Sequence, residues 1–191
     1  MQEIRFHGRG GQGTVVAAVV LAKALFRAGW QVQTFPLFGV ERRGAPVEAY
    51  LRVSREKIRV RSNVYRPHHV VVQDRRLLQT VDVTRGLRPG GRVIVNAAAP
   101  PEGSLEGFRP AWVDATAIAL QNGLGTATHP MINTAMCGAF ARVLQMPPLD
   151  LLCDTIAEEI EIKPRDNIRA AQAAYEAVCV PADNEVVDAA P

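Results

Sequence analysis

The stretch FHGRGGQG, Phe6 to Gly13, places Gly8, Gly10, Gly11 and Gly13 directly between two apolar runs. Glycine reaches backbone conformations closed to other residues, so a cluster of this density breaks one element and turns the chain tightly into the next. The flanks define what is joined. Ile4 to His7 reads as a short strand, and Gly11 to Arg27 reads as a helix opened by the glycines and closed at Gly29. Strand, glycine turn and helix in that order form the opening unit of an open α/β sheet.

The rest of the chain continues the alternation. Trp30 to Phe35 and Val47 to Val53 read as strands, with Ile58 to Val60 as a possible partner of the latter. HVVVQ, His69 to Gln73, is a continuous apolar run of the kind a parallel sheet buries on both faces; a helix from Arg75 to Val81 follows. A turn at LRPGG feeds a strand from Arg92 to Asn96, and AWV leads through a last short strand into a helix starting near Asp114 or Thr116. The character then changes: Pro130 to Leu144, Leu149 to Ile162 and Pro164 to Val178 read as three helices, and Asp183 to Pro191 as a frayed end. The expected class is α/β, an open, mostly parallel, Rossmann-like sheet flanked by helices with a helical C-terminal segment packed on it or gripping a neighbour. Residues 1–180 are expected to form one domain and 181–191 a flexible tail.

Composition removes several classes of function. With 48% hydrophobic and 21% charged residues among 191, the chain has the balance of a globular protein rather than a disordered one. Cys137, Cys153 and Cys179 lie too far apart for the close groupings of zinc or iron–sulfur sites, so no metal is expected on this chain. The run Thr14 to Phe26 is interrupted by Lys23 and too short to span a bilayer, and Met1 onward lacks a secretory pattern; a cytoplasmic location is the expectation. The excess of basic over acidic residues, 22 against 19, is mostly arginine, which suits phosphate or carboxylate partners. Those arginines are scattered and only 6% of residues are aromatic, which argues against nucleic acid.

Gly8-x-Gly10-x-x-Gly13 fits a dinucleotide fingerprint, and amides at the start of the following helix converge on an anion. A nicotinamide site also needs an acidic residue at the end of the second strand for the ribose hydroxyls. Here the chain offers Gln33 and Thr34, then Glu41, Arg42 and Arg43 on a loop containing Gly39 and Gly44. Adjacent arginines favour a phosphate near the ribose, as in NADP or coenzyme A. The alternative is that the glycines only permit close helix–strand packing and that the arginines meet a partner's carboxylates. Of the histidines, His7 reads as a core or edge residue, while His68 and His69, being adjacent, point to opposite faces and share no metal. Ser54, Ser62 and Ser104 sit in no nucleophile elbow, which removes a Ser-His-Asp triad.

Three segments together carry a family resemblance: GRGGQG after the first strand, FPLFGVERRGAPVEAYLRVS, and PMINTAMCGAFA. From Glu3 to about Val178 the chain resembles the gamma subunit of the 2-oxoacid:ferredoxin oxidoreductases, the pyruvate:ferredoxin oxidoreductase family. The resemblance implies a subunit of a heteromeric enzyme that converts a 2-oxoacid to acyl-CoA and CO2 and is not catalytic alone. It implies alpha and beta subunits that bind thiamine diphosphate, and a delta, ferredoxin-like subunit with iron–sulfur clusters. The gamma chain would pack against the thiamine-binding subunits and help bind or gate coenzyme A. Carried onto this sequence, the matching loop is Gly8, Arg9, Gly10, Gly11, Gln12 and Gly13, and the second segment contributes Glu41, Arg42, Arg43 and Gly44. Asn133 is a further candidate, on a helix expected to serve first as an interface with a neighbouring subunit. A free-standing NADP-binding reductase module is the alternative.

Overall fold

The computed structural model describes residues 1–37, 44–101, 105 and 107–181. Its β1 (Gln2–Arg9) runs through the middle of a six-stranded sheet, flanked on one side by β3 (Pro46–Ser54) and β2 (Gln31–Leu37) and on the other by β4 (His69–Val72), β5 (Arg92–Asn96) and β6 (Arg109–Val113). The pairs β1/β4, β4/β5 and β5/β6 are parallel, and β3 runs antiparallel to both β1 and β2. The expected open, mostly parallel sheet is therefore present, with an antiparallel strand wedged into its first crossover. Both edges of β3 are taken by β1 and β2, which leaves no edge for Ile58 to Val60; that stretch lies outside any strand.

Helix α1 (Thr14–Arg27) connects β1 to β2, and it begins at Thr14 rather than Gly11 because Gly13 holds a left-handed φ of 72°. It shares one face of the sheet with α3 (Ala115–Gln121), α4 (Asn133–Leu144), α5 (Leu149–Glu159) and α6 (Pro164–Ala177), over a core that includes Ile4, Phe6, Leu51, Val71 and Ile94. Val70, Val72, Val93 and Val95 point to the other face, against Leu77 of α2 (Leu77–Thr80) and Val83 and Leu87 of the following loop. Strands β4 and β5 thus feed two cores with alternate residues, which is why HVVV lacks a polar face. At α3 the Asp114 carboxylate accepts from the Ala117 amide at 2.8 Å and caps the helix. Helix α4 starts at Asn133, not Pro130, since β8 (His129–Pro130) pairs with β7 (Gly125–Thr126) in a short hairpin absent from the sequence expectation.

One expectation is overturned here. Helix α4 is not a surface for another subunit: it buries Asn133 to Ala141 and Val143 inside its own chain. Phe140 stacks on Phe6 with ring centroids 6.1 Å apart, and the Cys137 thiol, pushed up in pKa by complete burial, points at the Ala17 carbonyl. The reason is the composition of the helix. Its alanines and Gly138 let α6 come so close that a Cβ on residue 138 would stand 2.7 Å from the Ala171 carbonyl carbon.

The second face of β1 and β3 is polar and still buried. Arg5 Nε donates to His7 Nε2 at 3.0 Å and its Nη2 donates to the carbonyls of Val83 and Arg85, while Tyr50 donates to Glu48 at 2.6 Å. Burial pushes the His7 imidazole down to about 4, against the pull of Glu48, and burial likewise lowers His69 to about 4. Between pH 6.5 and 4 the unfolded chain therefore takes up protons that the folded chain refuses, so stability falls as the pH drops through that window. Thermal melting followed from pH 7.5 to pH 4.5 should show this decline. His7→Gln, which keeps an acceptor for Arg5, should remove part of the slope; an identical slope in the variant would rule His7 out as a contributor.

Candidate functional site

Strands β1, β4, β5 and β6 end at the same edge of the sheet, and the chain leaves that edge in opposite directions after β1 and β4. Such a switch point opens a crevice in which α/β sheets bind ligands. It holds a cleft of about 1030 Å³. The walls are the glycine loop from Arg9 to Gln12, the segment Gln73 to Arg76 after β4, Asn96 to Ala98 after β5, Asp114 and Thr116 after β6, and the hairpin residues Gly125 to Ile132.

The glycine loop divides its residues between two jobs. A Cβ on Gly8 would collide with the Thr14 hydroxyl and come within 2.8 Å of Gln73 Oε1, two groups that share a 2.7 Å hydrogen bond. Gly13, besides its positive φ, lies so near α4 that a Cβ would sit 2.9 Å from Asn133 Nδ2. These two glycines serve close packing. Gly11, with φ of 95°, has open space where its Cβ would be and lines the cleft. The Gly10 amide is already used, donating to the Ala45 carbonyl at 2.9 Å, and Gln12 closes the turn by accepting from the Arg9 amide at 2.8 Å. The amides of Gly11, Gly13 and Thr14 have no acceptor among the described residues.

Arg9 is a strut rather than a loose cation. Its Nε donates to Asp74 Oδ2 at 2.8 Å and its Nη1 to the Gly44 carbonyl at 3.1 Å, which ties the glycine loop to β4 and to the turn at Gly44. Glu41, Arg42 and Arg43 lie outside the described residues. In their place the structure brings forward a second pair, Arg75 and Arg76, exposed on the cleft wall beside Asp74. The Arg76 amide is held by Asp74 Oδ1 at 2.9 Å, and neither guanidinium has an acceptor among the described residues. Sequence reasoning passed over them, although QDRR directly follows a buried parallel strand and so falls on the ligand-binding edge by rule.

Two buried polar atoms near the loop, Gln73 Nε2 and Asn133 Oδ1, also have no partner among the described residues. Gln73 lines the cleft, and Asn133 lies behind Gly13. Asn96 links the outer wall, donating from Nδ2 to the Gln73 carbonyl and to Thr116 Oγ1, each at 3.0 Å. His129, on the hairpin, bonds Thr128 at 3.0 Å and is exposed. Among the described residues no group of three His, Cys, Asp or Glu could hold a metal ion, and no helix is long and apolar enough to cross a membrane.

The profile of the pyruvate ferredoxin/flavodoxin oxidoreductase family matches residues 3–177. The chain belongs to this family. It is 50% identical over 177 residues to the pyruvate synthase subunit PorC of Methanothermobacter marburgensis, covering 92% of this chain and 97% of that one. It is 48% identical over 181 residues to the common gamma subunit of the pyruvate/ketoisovalerate oxidoreductases of Thermococcus kodakarensis, at 92% and 96% coverage. Among solved structures, the pyruvate oxidoreductase subunit PORC of Thermotoga maritima superposes with a TM-score of 0.79 at 34% identity, over 93% of this chain and 97% of that chain. The 2-oxoglutarate:ferredoxin oxidoreductase of Magnetococcus marinus shares the fold, with a TM-score of 0.72 at 20% identity over 92% of this chain and 31% of that chain. The family resemblance stated from the sequence is thereby established: this is a gamma subunit of a 2-oxoacid ferredoxin oxidoreductase. The free-standing reductase is not favoured. Inserting β3 between β1 and β2 also moves the end of β2 two strand spacings, roughly 9–10 Å, from the glycine loop, where a nicotinamide site would need its ribose ligand close by.

Proposed function

We propose that the cleft binds coenzyme A, and that this subunit presents the thiol to thiamine chemistry housed in alpha and beta subunits, with electrons passing to iron–sulfur clusters on a delta, ferredoxin-like subunit. The observation that carries the reading is the meeting, on one cleft, of the Gly11 amide with the guanidinium groups of Arg75 and Arg76, all three without an acceptor among the described residues. Such a donor set fits a phosphate-rich substrate. Guanidinium forks match phosphate oxygens in bidentate pairs, and a helix N-terminus adds favourable potential. The cleft volume is at the upper end for small-molecule sites, as an elongated substrate requires.

Thiamine diphosphate, held by the partner subunits, supplies the decarboxylation chemistry. This chain's residues bind and orient. Arg75 and Arg76 hold phosphate groups, Asp74 and Gly44 fix Arg9 so that the glycine loop keeps its shape, and Ala97, Ala98 and Met131 offer apolar wall to the substrate's arm. Holding one reactant in place converts a bimolecular transfer into an effectively unimolecular one. Glu41, Arg42, Arg43 and Gly44 are proposed to complete the phosphate end.

The test is steady-state kinetics on the assembled complex. Loss of one charge-assisted bond, worth about 1.5–3 kcal/mol, corresponds to roughly a 10- to 100-fold rise in the KM for coenzyme A on Arg75→Ala/Arg76→Ala. The KM for the 2-oxoacid should stay where it was. Arg42→Ala/Arg43→Ala tests the neighbouring pair in the same assay. Unchanged KM for coenzyme A in both double variants would overturn the assignment.

A further inference from the structure

Between β3 and β4 the chain runs from Arg55 to Arg66, in the sequence REKIRVRSNVYR, outside any helix or strand. It is nevertheless anchored. The fully buried Arg52 donates from Nη2 to the Ser62 carbonyl at 2.6 Å and from Nη1 to the Val60 carbonyl at 3.5 Å, and Val64 is buried beneath. Carbonyls two residues apart meet one guanidinium when the backbone is extended and every second carbonyl turns the same way.

The outward side of this strap is unsatisfied in two respects. From Lys57 to Tyr65 it makes no backbone–backbone hydrogen bond among the described residues. Lys57, Arg59 and Arg61 are exposed, spaced two apart so that they share a face, and have no counter-ion among the described residues. Arg55 differs, since it stacks over Trp30 at 3.5 Å. Glu56 is the sole acid between Arg55 and Arg66. Beside the cations, Val60 is 40% and Tyr65 71% exposed. An exposed, strand-like run with open main-chain groups invites pairing with another chain, and charged side chains choose which one.

We propose that Lys57–Arg61 is a docking strap for an extended, acidic segment of a neighbouring protein subunit, which adds beside it through main-chain hydrogen bonds and sets carboxylates against Lys57, Arg59 and Arg61. Main-chain pairing supplies affinity and the two-residue charge spacing supplies register, as in strand addition generally. Nucleic acid fits less well, because Tyr65 is the one aromatic side chain on the strap and offers little for bases to stack on. The proposal is independent of the coenzyme A reading, since the strap lines no part of that cleft.

Amide hydrogen exchange on the complex, purified through a tag on this chain, tests it directly. The amides of Lys57, Arg59 and Arg61, on the side turned away from Arg52, should exchange at least about 10-fold more slowly than open chain, although no backbone partner for them lies among the described residues of this subunit. Carbodiimide coupling should join Lys57 to a carboxylate of another subunit. Lys57→Glu/Arg59→Glu/Arg61→Glu should release that subunit at moderate salt, and Lys57→Arg/Arg59→Lys/Arg61→Lys should retain it. Open-chain exchange rates in the intact complex, or protection that disappears on nuclease treatment, would overturn the proposal. So would a charge-reversed variant that retains the full set of subunits with unaltered salt sensitivity.

Discussion

Replacing Gly138 with alanine is expected to destabilise the fold by on the order of 3 kcal/mol, the upper range for forcing atoms into a packed core. The sign is the informative part. In an exposed helix the same change would stabilise by about 0.5–1 kcal/mol, because alanine has the higher helix propensity. Here the added methyl would fall inside contact distance of the Ala171 carbonyl oxygen and 2.9 Å from the Ala171 Cα. Those are backbone atoms of α6, which have no rotamer to move to, so the two helices must separate. Separation would open the contact that buries Ala170, Ala171 and Ala174. Denaturant unfolding of the chain measures the change; a loss below about 1 kcal/mol would mean that α6 shifts freely and that the close crossing is not required.

Arg52→Met is expected to cost about 3–5 kcal/mol, the usual penalty for removing one partner of a buried ion pair. Arg52 is fully buried, and its guanidinium serves Glu3 at 3.0 Å, Gln33 at 2.9 Å and the carbonyls of Val60 and Ser62. Methionine fills much of the volume and satisfies none of these acceptors, leaving the Glu3 carboxylate poorly compensated at 12% side-chain exposure. Arg52→Met/Glu3→Leu should recover part of the loss, since a buried pair replaced by apolar groups is often close to neutral. The carbonyls of the strap remain unpaired in that double variant, so recovery should be incomplete. Equal stability of wild type and Arg52→Met would show that water already screens the pair.

How far the sequence reaches is clearest at particular residues. Hydrophobic periodicity and turn residues located Arg92–Asn96 to the residue and placed α5 and α6 within a few residues of their ends, because local propensity and burial agree there. The hairpin of Gly125–Thr126 with His129–Pro130 was hidden, as strands of two residues leave no period to detect. Asn133 is a candidate from the sequence, and the structure puts it against Gly13 with Oδ1 unpartnered among the described residues. Arg75 and Arg76 carried the same chemical signal as Arg42 and Arg43, yet their importance depends on which strand precedes them in the sheet, and strand order is a property of no single segment.

By itself, the sequence determined the class of fold, the glycine turn at the head of α1 and the family, since each depends on local conformational preference or on motifs read along the chain. Tertiary structure alone decided that β3 separates β1 from β2, that α4 belongs to the core instead of an interface, and that Arg9 is tied to Asp74 while Arg75 and Arg76 face the cleft. Each of those outcomes depends on which distant segments share a neighbour. That competition is settled by packing and by buried polar groups finding partners, whose energies act between residues far apart in the chain.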